Sequence, residues 1–170
     1  MKSANCLGFV FLITLVIVWV ALASASRRYA PETAAIKFGR NFSYDKSTVE
    51  TLVSRHGADA ARFIFPVLFP LDLMLLFCIG ATIALFSIGL GATPGNTTGI
   101  GLLLLLPAAY MVADLSENVV LAIMLSSKPG SVTNGPVTLA QSFTALKLLF
   151  CLAGSVQVLV LAWQAYHRSH

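Results

Sequence analysis

The chain reads as an all-α polytopic membrane protein, with four transmembrane helices in an antiparallel bundle behind an amphipathic lead-in helix. Three observations predict this. Its 170 residues are 57% hydrophobic, above the roughly 45–50% of a soluble domain. Only 11% are charged, where a soluble domain carries about 25%. The apolar residues gather into long runs, and the mean hydropathy of the whole chain is +0.83. So little polar surface cannot coat a water-soluble globule. A cytosolic enzyme, a nucleic-acid-binding module and a disordered tail are excluded.

A helix needs about 20 apolar residues to cross the hydrocarbon core. Residues 7–25, 67–90, 100–125 and 137–165 meet that requirement. Pro66 stands before the second run, and a turn over residues 91–96 separates it from the third. Pro129, Gly130, Gly135 and Pro136 break the chain before the fourth. Such short turns make the last three helices antiparallel neighbours. The first run has two readings. Lys2, the apolar stretch and Ala23-Ser24-Ala25 follow the plan of a signal peptide. Arg27 and Arg28 outweigh Lys2 across the run, which favours an uncleaved helix with its amino terminus outside.

The formal net charge is +4, and its distribution reports orientation. Arg27, Arg28, Lys37, Arg40, Lys46, Arg55 and Arg62 lie in segment 26–65, and Lys128 lies in the last loop. The other side has only Lys2 and Arg168, with His167 and His170. Positive charge stays cytoplasmic. The expectation is a multi-pass protein of the bacterial inner (plasma) membrane, with segment 26–65 inside. Ser47-Thr48-Val49-Glu50 has the form of a capping box, opening a helix over residues 48–65. Val49, Leu52 and Val53 fall on one side of it. Arg55, His56 and Arg62 are membrane-surface candidates, facing anionic head groups if this helix lies on the inner leaflet. A solvated lead-in helix ending at Pro66 is the alternative.

Ionisable residues within the apolar runs are the most informative feature. Asp72, Asp114, Glu117 and Lys147 all lie there, and each costs at least about 2.5–3.5 kcal/mol unless it faces protein or water. At 1.5 Å per residue, Asp72 lies about 9 Å, Glu117 about 14 Å, Lys147 about 15 Å and Asp114 about 18 Å from the inner end. Three helices thus place charge in one slab. Tyr110, Asp114, Glu117, Asn118 and Leu121 share one helical face. Asp114 and Glu117 repel if both ionise, unless Lys147 or a cation lies between them. Thr144, Lys147, Cys151, Gly154 and Ser155 form a matching stripe on the last helix. Gly80, Ala84, Ser87 and Gly91 let a neighbouring backbone approach the second. Pro107 is a potential kink in the third.

These residues support a proton- or cation-coupled site for transport or binding of a small polar solute, with Glu117, Asp114, Lys147, Asp72, Asn118 and Tyr110 as its candidates. The alternative is a structural or partner-binding membrane subunit whose charges only fix helix packing. An enzyme is less well supported. His56, His167 and His170 all lie outside the apolar runs, and no nucleophile–histidine motif is present. Cys6, Cys78 and Cys151 have neither disulfide nor zinc spacing, so no metal or cofactor is expected. Two glycosylation sequons, at Asn41 and Asn96, fall on opposite sides of the membrane and read as chance matches. The expected partners are the lipid bilayer and further copies of the chain or a larger membrane complex, not nucleic acid.

Arg55-His56-Gly57 through Arg62, Asp72 opening the next apolar run, and Asp114-Leu115-Ser116-Glu117-Asn118 carry a resemblance to a family. Over roughly residues 50–160 the chain resembles uncharacterised small bacterial four-helix integral membrane proteins with an Asp-x-x-Glu-Asn element. The resemblance implies a polytopic inner-membrane protein and no particular activity. Ser116 departs from the apolar residue expected before the glutamate.

Overall fold

The computed structural model describes residues 2–91 and 97–168. Seven α-helices run through them: α1 (Lys2–Tyr29), α2 (Pro31–Ile36), α3 (Lys46–Arg55), α4 (Gly57–Arg62), α5 (Leu73–Gly91), α6 (Thr97–Leu125) and α7 (Asn134–Arg168). Among the described residues there is no β-strand. Four stretches are long and apolar enough to cross a membrane: Cys6–Tyr29, Gly57–Gly91, Gly99–Leu125 and Asn134–His167. The chain is therefore an all-α polytopic membrane protein. Residues 92–96, with Asn96 and the turn expected there, lie outside the described residues.

The second span departs from a simple helix. Between α4 and α5 the sequence Phe63–Asp72 contains Pro66 and Pro70. A proline disfavours helical backbone in the residue before it. Phe65 (φ −137°, ψ 123°) and Phe69 (φ −121°, ψ 115°) are accordingly extended. The helix expected from residue 67 becomes regular only at Leu73, because Pro70 breaks the chain a second time. Depth counted at helical rise from Pro66 thus does not hold for Asp72, which sits at the junction where α5 begins.

Packing of the spans follows their small residues. A side chain on Gly80 would come within 2.5 Å of Met111, and one on Gly154 within 3.0 Å of Ile83. These glycines let α5 approach α6 and α7. Pro107 lies inside α6 without ending it. It has no N–H to give the carbonyl of Leu103, one turn earlier. Gln157 of α7 replaces that donor, its Nε2 lying 2.9 Å from the Leu103 oxygen and 2.8 Å from Ser87 Oγ on α5. One amide thus joins three helices through a fully buried serine. α1 packs along α5 and the Phe63–Asp72 segment rather than along α6 or α7.

At the other end, the basic segment folds onto the bundle. The expected capping box at Ser47 and Glu50 does not form. Asp45, extended at φ −123° and ψ 179°, caps α3 instead. Its Oδ1 accepts from the Thr48 amide and from the Ser47 and Thr48 hydroxyls, each at 2.8 Å. A carboxylate takes these donors in preference to a hydroxyl one residue inside the helix. Those bonds hold the Asp45 carboxyl at about 2, below its usual 3.8. Glu50 is thereby free to accept from the Gly130 and Val132 amides in the α6–α7 loop.

The single helix expected over residues 48–65 is broken at His56 into α3 and α4. Val49, Leu52 and Val53 are buried with Leu121, Met124, Leu125, Val132 and Ala140. The apolar side of α3 therefore packs on protein, while Arg55, His56 and Arg62 remain exposed. Asn41 spends its side chain locally, donating to the Ile36 carbonyl at 2.8 Å and accepting from the Ser43 amide at 2.9 Å.

Candidate functional site

The polar face of α6 points into the bundle. Tyr110, Asp114, Glu117, Asn118 and Leu121 are all buried, Glu117 completely so. Their recurrence every three or four residues aims them one way, and α7 supplies the partners. Lys147 Nζ lies 2.8 Å from Asp114 Oδ1 and 2.5 Å from Glu117 Oε2. The ammonium thus stands between two carboxylates that would otherwise repel. Thr144, one turn earlier on α7, donates to Glu117 Oε1 at 2.6 Å. Tyr110 donates to Asp114 Oδ2 at 3.0 Å. Asn118 donates to Asp72 Oδ2 at 2.8 Å.

The six candidate solute- or proton-binding residues fall into two bonded sets, Tyr110, Asp114, Lys147 and Glu117 in one and Asn118 with Asp72 in the other, and all six line one cavity. They are not equivalent within it. Asp114 and Glu117 share the cation, whereas Asp72 has an amide donor and no cation at ion-pair distance among the described residues. The membrane-surface candidates Arg55, His56 and Arg62 do not join this region. They stay on the outside of α3 and α4.

The charged groups border a cavity of about 400 Å³. Asp72, Tyr110, Asp114, Glu117, Asn118 and Lys147 all line it. Other lining residues come from elements that sequence reasoning did not connect to the cluster. Trp19, Leu22 and Arg27 of α1 form one wall, and Lys37 and Arg40 stand at the end nearest the basic segment. Arg27, Lys37 and Arg40 counted in the sequence only as orientation charges. Their convergence depends on how α1 and the turn after α2 meet, and no local pattern encodes that.

The turn that brings the basic residues here has an identifiable anchor. α2 starts at Pro31 without a side-chain cap of its own. Asp59 of α4 substitutes from a distance, accepting from the Thr33 amide at 2.8 Å and its hydroxyl at 2.5 Å. Lys37 then ends α2 in a left-handed conformation (φ 57°, ψ 46°), uncommon for a residue with a side chain. The chain turns through Phe38, Gly39 and Arg40 directly over Lys147. A side chain added at Gly39 would lie 3.3 Å from the Lys147 Nζ.

Behind this turn, Tyr44 is buried edge-on against Phe38, with ring centroids 4.8 Å apart. Its hydroxyl has no hydrogen-bond partner among the described residues. Burial first, and then the Glu117 charge, push it up to about 12. Thr144 belongs to the polar stripe that the sequence shows on α7, and the structure adds its bond to Glu117; Tyr44 has no local signal in the sequence.

Comparison of the chain with protein-family models, with curated proteins and with solved structures gives no match.

Proposed function

We infer that the protein binds a small polar solute in this cavity and couples binding, or passage across the membrane, to exchange of a proton or cation. The observation that carries the reading is the placement of the charges. Ionisable groups in a membrane segment are expensive, and helix packing alone is best served by burying them against one another. Here Asp72, Asp114 and Lys147 border open space of about 400 Å³. Lys147 is committed to Asp114 and Glu117. Asp72 is therefore the carboxylate available for exchange, with Asn118 and Tyr110 completing the site.

Orientation belongs to the same proposal. Glu50 joins the basic segment to the α6–α7 loop carrying Lys128, so both basic stretches occupy one end of the bundle. The positive-inside rule then turns the cavity's basic end toward the cytoplasm, in a bacterial inner membrane.

The test is proton movement in liposomes carrying a trapped pH-sensitive dye. Sodium, potassium, acetate, glycine and ethanolamine are supplied in turn. At least one is expected to drive a pH change that Asp72→Asn abolishes without altering the helical circular dichroism. No response to any of them, with Asp72→Asn unchanged in stability, counts against the reading.

A second reading has its own support. The chain Thr144–Glu117–Lys147–Asp114–Tyr110 is continuously bonded, as a packing device would be. A structural subunit of that kind would co-purify with a larger membrane complex. A homogeneous chain that exchanges protons alone would refute it.

A further inference from the structure

The cavity changes character along its length. At its basic end stand Arg27, Lys37 and Arg40. All three are exposed, and none has a carboxylate at ion-pair distance among the described residues. Further along the helices from them stand Trp19 and Leu22 of α1, Ile79 of α5 and Cys151 of α7, which are apolar, with Leu148 beside Lys147 nearer the cations. Trp19 and Arg27 are eight residues apart on one helix, which is about 12 Å along the axis. Cations at one end and apolar wall beyond them is the complement of an amphiphile.

The packing of α1 adds a way in. α1 and α7 both line the cavity, yet α1 packs along α5 and not along α7. Trp19 is 55% exposed and Leu148 43%, so each lines the cavity and also faces out of the bundle. The edges of the cavity thus lie at the surface where lipid would be.

We propose that the cavity receives an amphiphile with an anionic head group, which enters sideways from the bilayer between α1 and α7. The head group is held by Arg27, Lys37 and Arg40, and the tail passes Leu148 to lie against Trp19 and Ile79. A small soluble anion would use the cations and leave the apolar wall unexplained. An uncharged lipid would leave the three cations unpartnered. Asp72, Asp114 and Glu117 outnumber Lys147 and repel an anion, which keeps the head group on the three exposed cations. This goes beyond the small polar solute inferred above: it gives the same cavity an amphiphilic ligand, and it stands on the cations and apolar wall that line it rather than on proton exchange. A phospholipid of the surrounding leaflet and a free fatty acid share this chemistry.

Trp19 is the natural reporter. The chain has two tryptophans, so Trp163→Phe leaves Trp19 alone, and a brominated tail beside its ring quenches its fluorescence. In phosphatidylcholine nanodiscs the protein is titrated with dibrominated phosphatidylglycerol, dibrominated phosphatidylcholine or free dibromostearate. An anionic amphiphile is expected to quench saturably at low mole fraction, whereas phosphatidylcholine does not. At about fivefold for each surface cation, Lys37→Gln/Arg40→Gln is expected to weaken that binding about twenty-five-fold.

Saturation by phosphatidylglycerol places the source in the leaflet; saturation by dibromostearate alone places it in a free acid. Equal, non-saturating quenching by all three overturns the proposal, since only surrounding lipid is then being read. Inorganic phosphate or acetate competing as well as the long-chain anions also overturns it, but leaves a small-solute site standing. If Asp72→Asn leaves proton movement intact while saturable quenching persists, the coupled-site reading fails and the lipid site does not.

Discussion

Removing the Lys147 ammonium is the most discriminating perturbation of the charged cluster. Lys147→Met keeps the length of the side chain and deletes contacts of 2.8 Å to Asp114 and 2.5 Å to Glu117. Both carboxylates are buried, Glu117 at 0% exposure and Asp114 at 4%. Breaking a buried pair by deleting one partner costs about 3–5 kcal/mol. One cation serves two anions here, so Lys147→Met belongs at the upper end of that range. Glu117→Gln is milder. Thr144 still has an oxygen to bond, and Lys147 keeps Asp114, so the loss is one charge-assisted contact, about 1.5–3 kcal/mol. In the double variant only Asp114 keeps a charge, and Tyr110 still donates to it. The double variant should therefore be more stable than the sum of the singles implies, by about 1–3 kcal/mol. Reversible unfolding in mixed detergent micelles, followed by circular dichroism, measures all three. Equal costs for the two single variants, or costs that simply add, would refute the shared-cation arrangement.

Other predictions test the frame around the cluster. Gln157→Leu strands the Leu103 carbonyl and should cost about 1–3 kcal/mol, whereas Pro107→Ala restores the missing N–H. The Gln157→Leu/Pro107→Ala variant should thus recover much of the loss in the same unfolding measurement; no recovery would show that Gln157 acts otherwise. Asp59→Ala removes the remote cap on α2. With about 1.4 kcal/mol of local stability lost, trypsin should cut after Lys37 or Arg40 roughly tenfold faster. The Asp45 carboxyl titrates at about 2 in place of 3.8. A lowered value in the folded state means that its cap is at full strength above pH 3.8 and is lost as pH falls toward 2. Hydrogen exchange of the Thr48 amide should accelerate across that window, and Asp45→Asn should flatten the response.

The membrane-spanning architecture and most of the cluster were legible in the sequence, because both rest on local regularities. Tyr110, Asp114, Glu117 and Asn118 recur at helical spacing, so α6 alone determines that they share a face. Depth along rigid helices then brings Lys147 to the same level. Errors arose where one local rule displaced another. Ser47 and Glu50 fit a capping box, but Asp45 offered a charged acceptor just outside the helix and Glu50 found a partner in a distant loop. Pro66 stands just before the apolar run expected to be helical from residue 67, but Pro70 breaks the chain again four residues later. The basic end of the cavity was not legible at all. Arg27, Lys37 and Arg40 meet there only because Asp59 anchors α2 and α1 packs on α5, and both depend on contacts between residues far apart in the chain.

Among the described residues the spans share two polar networks, and the contrast between them bears on what the charged one is for. Gln157, Ser87 and the Leu103 carbonyl form a neutral set that joins α5, α6 and α7. It answers a specific need, the donor lost at Pro107, and leaves no charge in the membrane. Interhelical bonds of this type average about 0.6 kcal/mol but specify packing well. A protein already held together in this way gains little registry from a second, charged set on the same helices. That second set retains three carboxylates against one lysine, leaves Asp72 without a cation, and borders about 400 Å³ of open space. Each feature opposes stability, since apolar residues of the same volume would pack there at lower cost. Groups held against the interest of stability are the expected mark of a working site. The neutral network accounts for packing, and the charged one, held against stability beside open space, is what the proposed site rests on.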